Sequence, residues 1–174
     1  SGYSKQGGYE IHIEDAKSGQ DLYDHFFKIG NKYNLKPGAP NHPERIEGGL
    51  LSYGNDMLIS DNPFECGFEK YVNLDSNIEF LGKESLKKIR DSGIKKKLMG
   101  VKIDTDNLDL SNTDIFNNDN IVIGELRSAA YSPYFKKIVG IAMIKIEYFK
   151  IKEHFKMEIF NKSINGEICN LPIT

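Results

Sequence analysis

The chain has 174 residues, 39% hydrophobic and 28% charged, with a formal net charge of -2. That is enough to bury a core in one or two domains, and the near-neutral balance excludes electrostatic attraction to nucleic acid as its main business. No apolar run approaches the roughly 20 residues of a membrane span, so a membrane is not an expected partner either.

Residues 1–14 hold no basic region followed by an apolar one, so no signal peptide is expected. Cys66 and Cys169 lie far apart without a Cys-x-x-Cys partner and read as thiols of a reducing, cytoplasmic compartment. His12, His25, His42 and His154 lack ligand spacing, and no metal is expected. The chain opens on Ser1-Gly2-Tyr3-Ser4 with no initiator methionine, inside a motif-like run, which reads as a fragment of a longer protein.

In chain order, Tyr9 to Glu14 alternates apolar Tyr9, Ile11 and Ile13 with polar Glu10, His12 and Glu14, the pattern of a half-buried strand. Gln20 to Tyr33 carries Leu22, Phe26 and Ile29 at helical spacing, widened by Tyr23 and Phe27, and predicts an amphipathic helix. Prolines 37, 40 and 43 make a stiff connector, and Pro43 suits the first turn of a helix bearing Arg45. If that helix continues, Gly48 and Gly49 lie on Arg45's face and bare it for a flat ligand beside a fixed, forked cation. The plainer reading of the two glycines is close packing, with Arg45 solvated or ion-paired.

Residues 62–68 read as a turn feeding a short strand near Tyr71-Val72-Asn73. Leu81 to Arg90 reads as a helix stopped at Gly93, its lysines and Lys95, Lys96 and Lys97 forming a solvated basic face. From Leu98 the pattern turns to strands: 98–103, 121–126, 138–148, 155–160 and 167–171, the last two joined by a turn at Asn165-Gly166. Short strands in this number predict a small antiparallel barrel or sandwich. The acidic stretch 104–114 fails a calcium-loop register at Leu108, Asp109 and Ile115, and is read as a solvated loop. No phosphate-loop, Gly-x-Ser-x-Gly or His-Glu-x-x-His pattern is present, and no catalytic residue is assigned.

Several runs, in order, resemble the folate-dependent aminomethyltransferase family that includes the T-protein of glycine cleavage. They are Gly2-Tyr3-Ser4-Lys5-Gln6-Gly7-Gly8-Tyr9-Glu10, Arg45-Ile46-Glu47-Gly48-Gly49 closing on Tyr53-Gly54, Pro63-Phe64-Glu65-Cys66-Gly67, Phe80 to Leu86, and Ser132-Pro133 before Ile141-Ala142. The wording of residues 44–57, 65–67 and 73–75 is most similar to the dimethylsulfoniopropionate demethylases within it. The resemblance implies an α+β chain forming the later part of a three-domain folate-binding fold. Residues 1–94 would end the folate-binding aminomethyltransferase domain and residues 95–174 would form the C-terminal β-barrel; the N-terminal half of the enzyme would be a missing partner. It implies tetrahydrofolate as cofactor, held by Tyr3, Glu10 and Arg45, with Glu10 accepting from the pterin's N–H donors. It also implies methyl transfer from dimethylsulfoniopropionate, with aminomethyl transfer or non-catalytic folate binding as the alternatives. Lys5 stands where the T-proteins usually carry glycine, and their functional aspartate belongs to the half not seen here.

Overall fold

The computed structural model describes residues 7–39, 41–106, 110, 113–159 and 161–174. They divide into two compact units, one ending at Asn41 and the other running from His42 to Thr174.

In the first unit, the amphipathic stripe forms helix α1, Ser18–Gly30, followed by a 3-10 turn at Asn31–Tyr33. Two side-chain pairs spaced four residues apart support α1. Gln20 donates to Asp24 at 2.9 Å, and the Tyr23 and Phe27 rings lie 4.5 Å apart. The strand expected over Tyr9–Glu14 does not form, because among the described residues no neighbouring strand supplies its ladder bonds. Tyr9 is 98% exposed.

The second unit is built on a closed barrel of six strands in the order β1-β4-β3-β2-β5-β6, every pair antiparallel. Its strands are β1 Lys96–Ile103, β2 Asp114–Phe116, β3 Val122–Ser132, β4 Lys137–Lys145, β5 His154–Ile159 and β6 Lys162–Cys169. Alternation sorts the side chains. Met99, Val101 and Ile103 of β1, Ile138, Ala142 and Ile144 of β4, and Phe155 and Met157 of β5 form the interior cluster. Val139, Ile141 and Met143 turn outward and join Leu98 in a second cluster with Ile46, Cys66 and Ile173. This outer cluster seats helix α2, His42–Glu47, on the barrel wall.

Three sequence expectations change here. The β5–β6 connection lies not at Asn165-Gly166 but between the paired Ile159 and Lys162, where Asn161 has φ +60°. Asn165 and Gly166 sit inside β6, opposite Lys156 and Phe155. A Cβ at Gly166 would come within 2.3 Å of the Phe155 ring, so that glycine is a packing requirement of the barrel interior. The strand expected at Tyr71–Asn73 is instead a 3-10 turn, Glu69–Tyr71, in a stretch where no described strand pairs with it.

The third change concerns the lysines. Helix α3, Lys83–Ser92, stops at Gly93 as expected, but Lys83 is only 3% exposed. Its ammonium donates to the Ser76 and Ile78 carbonyls and to Glu79 Oε1 rather than facing solvent.

Candidate functional site

Helix α2 ends at Glu47, so the glycines do not extend it to bare a face beside Arg45. They cap it. Gly49 takes φ +63°, its N–H donates to the Ile46 carbonyl, and the Leu50 N–H reaches the Arg45 carbonyl at 2.9 Å. That is a Schellman ending, which a left-handed glycine satisfies without strain. Ile173 closes the same corner from the far end of the chain by donating to the Glu47 carbonyl at 2.8 Å.

The cap turns Arg45 into the protein, where it is 0% exposed. Its Nη1 meets Asp56 Oδ2 at 2.5 Å and the Leu50 carbonyl at 3.2 Å. Nη2 donates to Ser128 Oγ at 3.1 Å, and Nε to His42 Nδ1 at 3.3 Å. Guanidinium carries five N–H donors, so one Nη2 N–H is left over. Asp56 Oδ2 also accepts the Ser52 N–H at 2.7 Å, while Oδ1 is buried with no partner. Burial foremost, then the Arg45 charge, lowers the pKa of His42 against an upward pull from Asp56. The ring is therefore neutral at neutral pH, accepts through Nδ1 and carries its proton on Nε2.

Ser128 reaches Arg45 because β3 is bulged. Leu126 pairs with Ala142 and Ser128 with Ile141, adjacent residues of β4, so Arg127 is an extra residue on its strand. Ala142 faces the interior and Ile141 the outer cluster. The bulge thus puts Ser128 on the outer wall beside Arg127, where strict alternation would have sent it inward.

Arg127 is buried in that wall with 7% of its side chain exposed. Its Nε lies 3.3 Å from Glu125 Oε2, yet has no partner in hydrogen-bond geometry. The distance makes an ion pair; the missing alignment makes it a weak one.

Arg45, His42, Arg127, Ser128, Glu125 and Asn55, with Gly54, Leu58 and Ala129, line a cavity of about 290 Å³. Of this lining, Leu58 is held by Asp61, which accepts its N–H at 2.9 Å and pairs with Lys96. Burial pushes the Asp61 carboxyl up, but the hydrogen bonds from Lys96 and Leu58, with the Lys96 and Arg127 charges, hold it below its usual value. Asn62 and Glu65 fix the next turn reciprocally: Asn62 Oδ1 accepts the Glu65 N–H at 3.1 Å and Glu65 Oε2 the Asn62 N–H at 3.2 Å. Burial pushes the Cys66 and Cys169 thiols up to about 11, which leaves them protonated and unreactive.

Of the residues expected to hold a cofactor, Arg45 lies in this cavity. Glu10 belongs to the first unit, its side chain 92% exposed and 3.9 Å from His12. Tyr3 lies outside the described residues. Asp56, Ser128, His42 and Arg127 were not singled out from sequence; the signal available was the polar Arg127-Ser128 pair between Leu126 and Ala129-Ala130.

The class defined by these features is a small closed antiparallel barrel with a guanidinium-bearing helix seated on its outer wall. Residues 1–76 match the GCVT N-terminal domain, and residues 96–174 match the glycine cleavage T-protein C-terminal barrel domain. The chain belongs to the glycine cleavage T-protein family. It is 36% identical over 144 residues to dimethylsulfoniopropionate demethylase DmdA of Ruegeria pomeroyi, covering 83% of this chain and 39% of that protein. It is 30% identical over 172 residues to an aminomethyltransferase of Thermoanaerobacter pseudethanolicus, covering 98% of this chain and 46% of that protein.

The fold matches the crystal structure of glycine cleavage system aminomethyltransferase T from Bartonella henselae with a TM-score of 0.80 at 19% identity, over 91% of this chain and 44% of that one. The chain thus spans less than half the length of each of these relatives. Among the described residues, no helix is long and apolar enough to cross a membrane, and no cluster of ligating side chains would hold a metal ion.

Proposed function

We propose that the protein to which this chain belongs is a tetrahydrofolate-dependent one-carbon transferase, and that it moves a methyl group from dimethylsulfoniopropionate. The observation that carries this reading is the pair of family domains matched in order, together with the 36% identity to a protein named as that demethylase. Residues 1–94 would then close the folate-binding domain and residues 95–174 form the barrel domain. The rest of the three-domain fold would come from a preceding half of the same protein, in the cytoplasm.

When bound, tetrahydrofolate would supply a nucleophilic nitrogen to take the methyl group, the S–CH3 electron pair staying on sulfur and the displaced proton passing to solvent. A sulfonium needs no acid to help it depart, so the protein's task is alignment, a factor able to contribute roughly 7–11 kcal/mol. The residues present suit a partial share of that task. Glu10 is an exposed carboxylate acceptor with His12 3.9 Å away. Arg45 is held rigidly and keeps one free N–H. A cavity of about 290 Å³ is at the small end of ligand sites and takes part of a folate, not the whole.

The second reading, aminomethyl transfer, is favoured by the aminomethyltransferase relatives, which align over 98% of the chain. Anaerobic calorimetric titration with tetrahydrofolate tests the shared premise. Saturable binding that is lost in Glu10→Ala and weakened in Arg45→Lys supports it, with thermal melts showing that both variants are folded. Turnover of dimethylsulfoniopropionate against an aminomethyl donor by the complete protein then separates the two readings.

A further inference from the structure

Charge is unevenly settled in the cavity on the outer wall of the barrel. The Arg45 charge is met at 2.5 Å by a fully buried Asp56. The Arg127 charge is not: 7% exposed, it has only the Glu125 carboxylate within ion-pair distance among the described residues, and Nε finds no acceptor. A buried guanidinium left without an aligned acceptor is costly, and Arg127 lines a cavity with room for one. The bulge that exposes Arg127 to this space also sets Ser128 beside it, and Ser128 fixes the Arg45 nitrogen that keeps a free N–H. Two guanidinium groups therefore line one cavity with N–H donors unspent, the forked arrangement that suits a carboxylate.

We propose that this cavity is a carboxylate-binding subsite, with Arg127 as its anchor and the remaining Nη2 N–H of Arg45 as its second donor. Glu125 is the resident competitor. Its side chain is 38% exposed and makes no hydrogen bond to Arg127 Nε, so it is free to swing to solvent when a ligand's carboxylate arrives. The ligand's carboxylate has two sources under the folate-dependent reading: the methyl donor itself, or the glutamate tail of the folate. That naming of sources rests on the proposed function; the carboxylate chemistry rests only on the residues of the cavity.

The test is a titration of the 15N-labelled chain, following the Arg127 Nε–H resonance, which is assigned by its loss in Arg127→Lys. The probes are propionate, dimethylsulfoniopropionate, tetrahydrofolate, and tetrahydropteroate, which lacks the glutamate tail. Propionate is expected to shift the resonance saturably. Calorimetry is expected to show its binding lost in Arg127→Gln and tightened roughly threefold in Glu125→Gln, where an opposing charge of the exposed type is removed.

A shift with tetrahydrofolate but not tetrahydropteroate assigns the tail, and a shift with dimethylsulfoniopropionate assigns the donor; either supports the subsite. No shift with any probe on a folded chain overturns it, as does propionate binding that survives Arg127→Gln. Folate binding with no shift of the Arg127 resonance by propionate, dimethylsulfoniopropionate or folate sinks the subsite and spares the folate reading. A propionate shift without folate binding does the reverse.

Discussion

The stripe of Tyr23, Phe26 and Ile29 along α1 is as clear in sequence as the apolar run from Ile138 to Ile144 in β4. Yet no residue of α1 is buried, while seven of the nine residues of β4 are. The alternation of Tyr9, Ile11 and Ile13 goes the same way as α1, with all three exposed. Periodicity states which face an element would bury; it does not supply the surface that buries it. In the barrel every strand finds two neighbours and closure removes both edges. Among the described residues of the first unit, Tyr9, Ile11, Ile13, Tyr23, Phe26 and Ile29 all stay exposed.

The contrast can be strained at its strongest point by Asp56→Ala. This leaves the Arg45 guanidinium buried without its counter-charge and frees the Ser52 N–H, and should cost about 3–5 kcal/mol in a denaturant titration. Phe155→Ala, in the interior, should cost a similar ~3–5 kcal/mol by leaving a cavity. Gly166→Ala drives a methyl into that same ring and should cost about 1–3 kcal/mol, only part of it recovered when Phe155→Leu is added, because the Lys102 carbonyl also lies 2.8 Å from the added methyl.

A shallower effect belongs to His42. Its folded pKa is depressed, so the unfolded chain takes up the proton first as pH falls through about 6.5. Stability should be fully present above that pH and decline below it until the folded ring titrates. His42→Gln should therefore reduce the loss of melting temperature between pH 7.5 and 5.5, buffer conditions set by that range.

Smallest of all, Ile29→Ala in α1 should stay within about 0.5 kcal/mol. A loss several times larger would mean that α1 is buried in solution, and the contrast between the two units would fall.

What the sequence disclosed follows the same division. The strand at 98–103, the helical stripe of α1 and the glycine stop after α3 are local signals that appear as read, while the strand expected over 138–148 ends at Lys145 and gives way to a 3-10 turn at Ile146–Tyr148. The second half of β3 escaped because Arg127-Ser128 breaks its alternation, and that break is the bulge itself. Asn165-Gly166 misled because a turn dipeptide also serves where a glycine must lie under an aromatic ring. The lysines of α3 were read together, but Lys83 meets carbonyls that only the folded 76–79 segment brings near.

The site was legible as one residue, Arg45, because a charged fork beside two glycines is unusual in sequence. Its partners were not, since Asp56 is 11 residues away and Ser128 is 83. No local pattern encodes such meetings.

The corner that caps α2 also has a history in time. Arg45 owes its direction to a helix ending that Ile173 completes and that Leu171 packs against at Gly49. At typical synthesis rates of 5–20 residues per second, roughly 6–25 s pass between the making of Arg45 and the making of Ile173. Throughout that interval the guanidinium, its Ser128 partner and the wall they share are incomplete. A ribosome stalled within β6 would carry every residue of the cavity and still lack the Ile173 N–H that meets the Glu47 carbonyl.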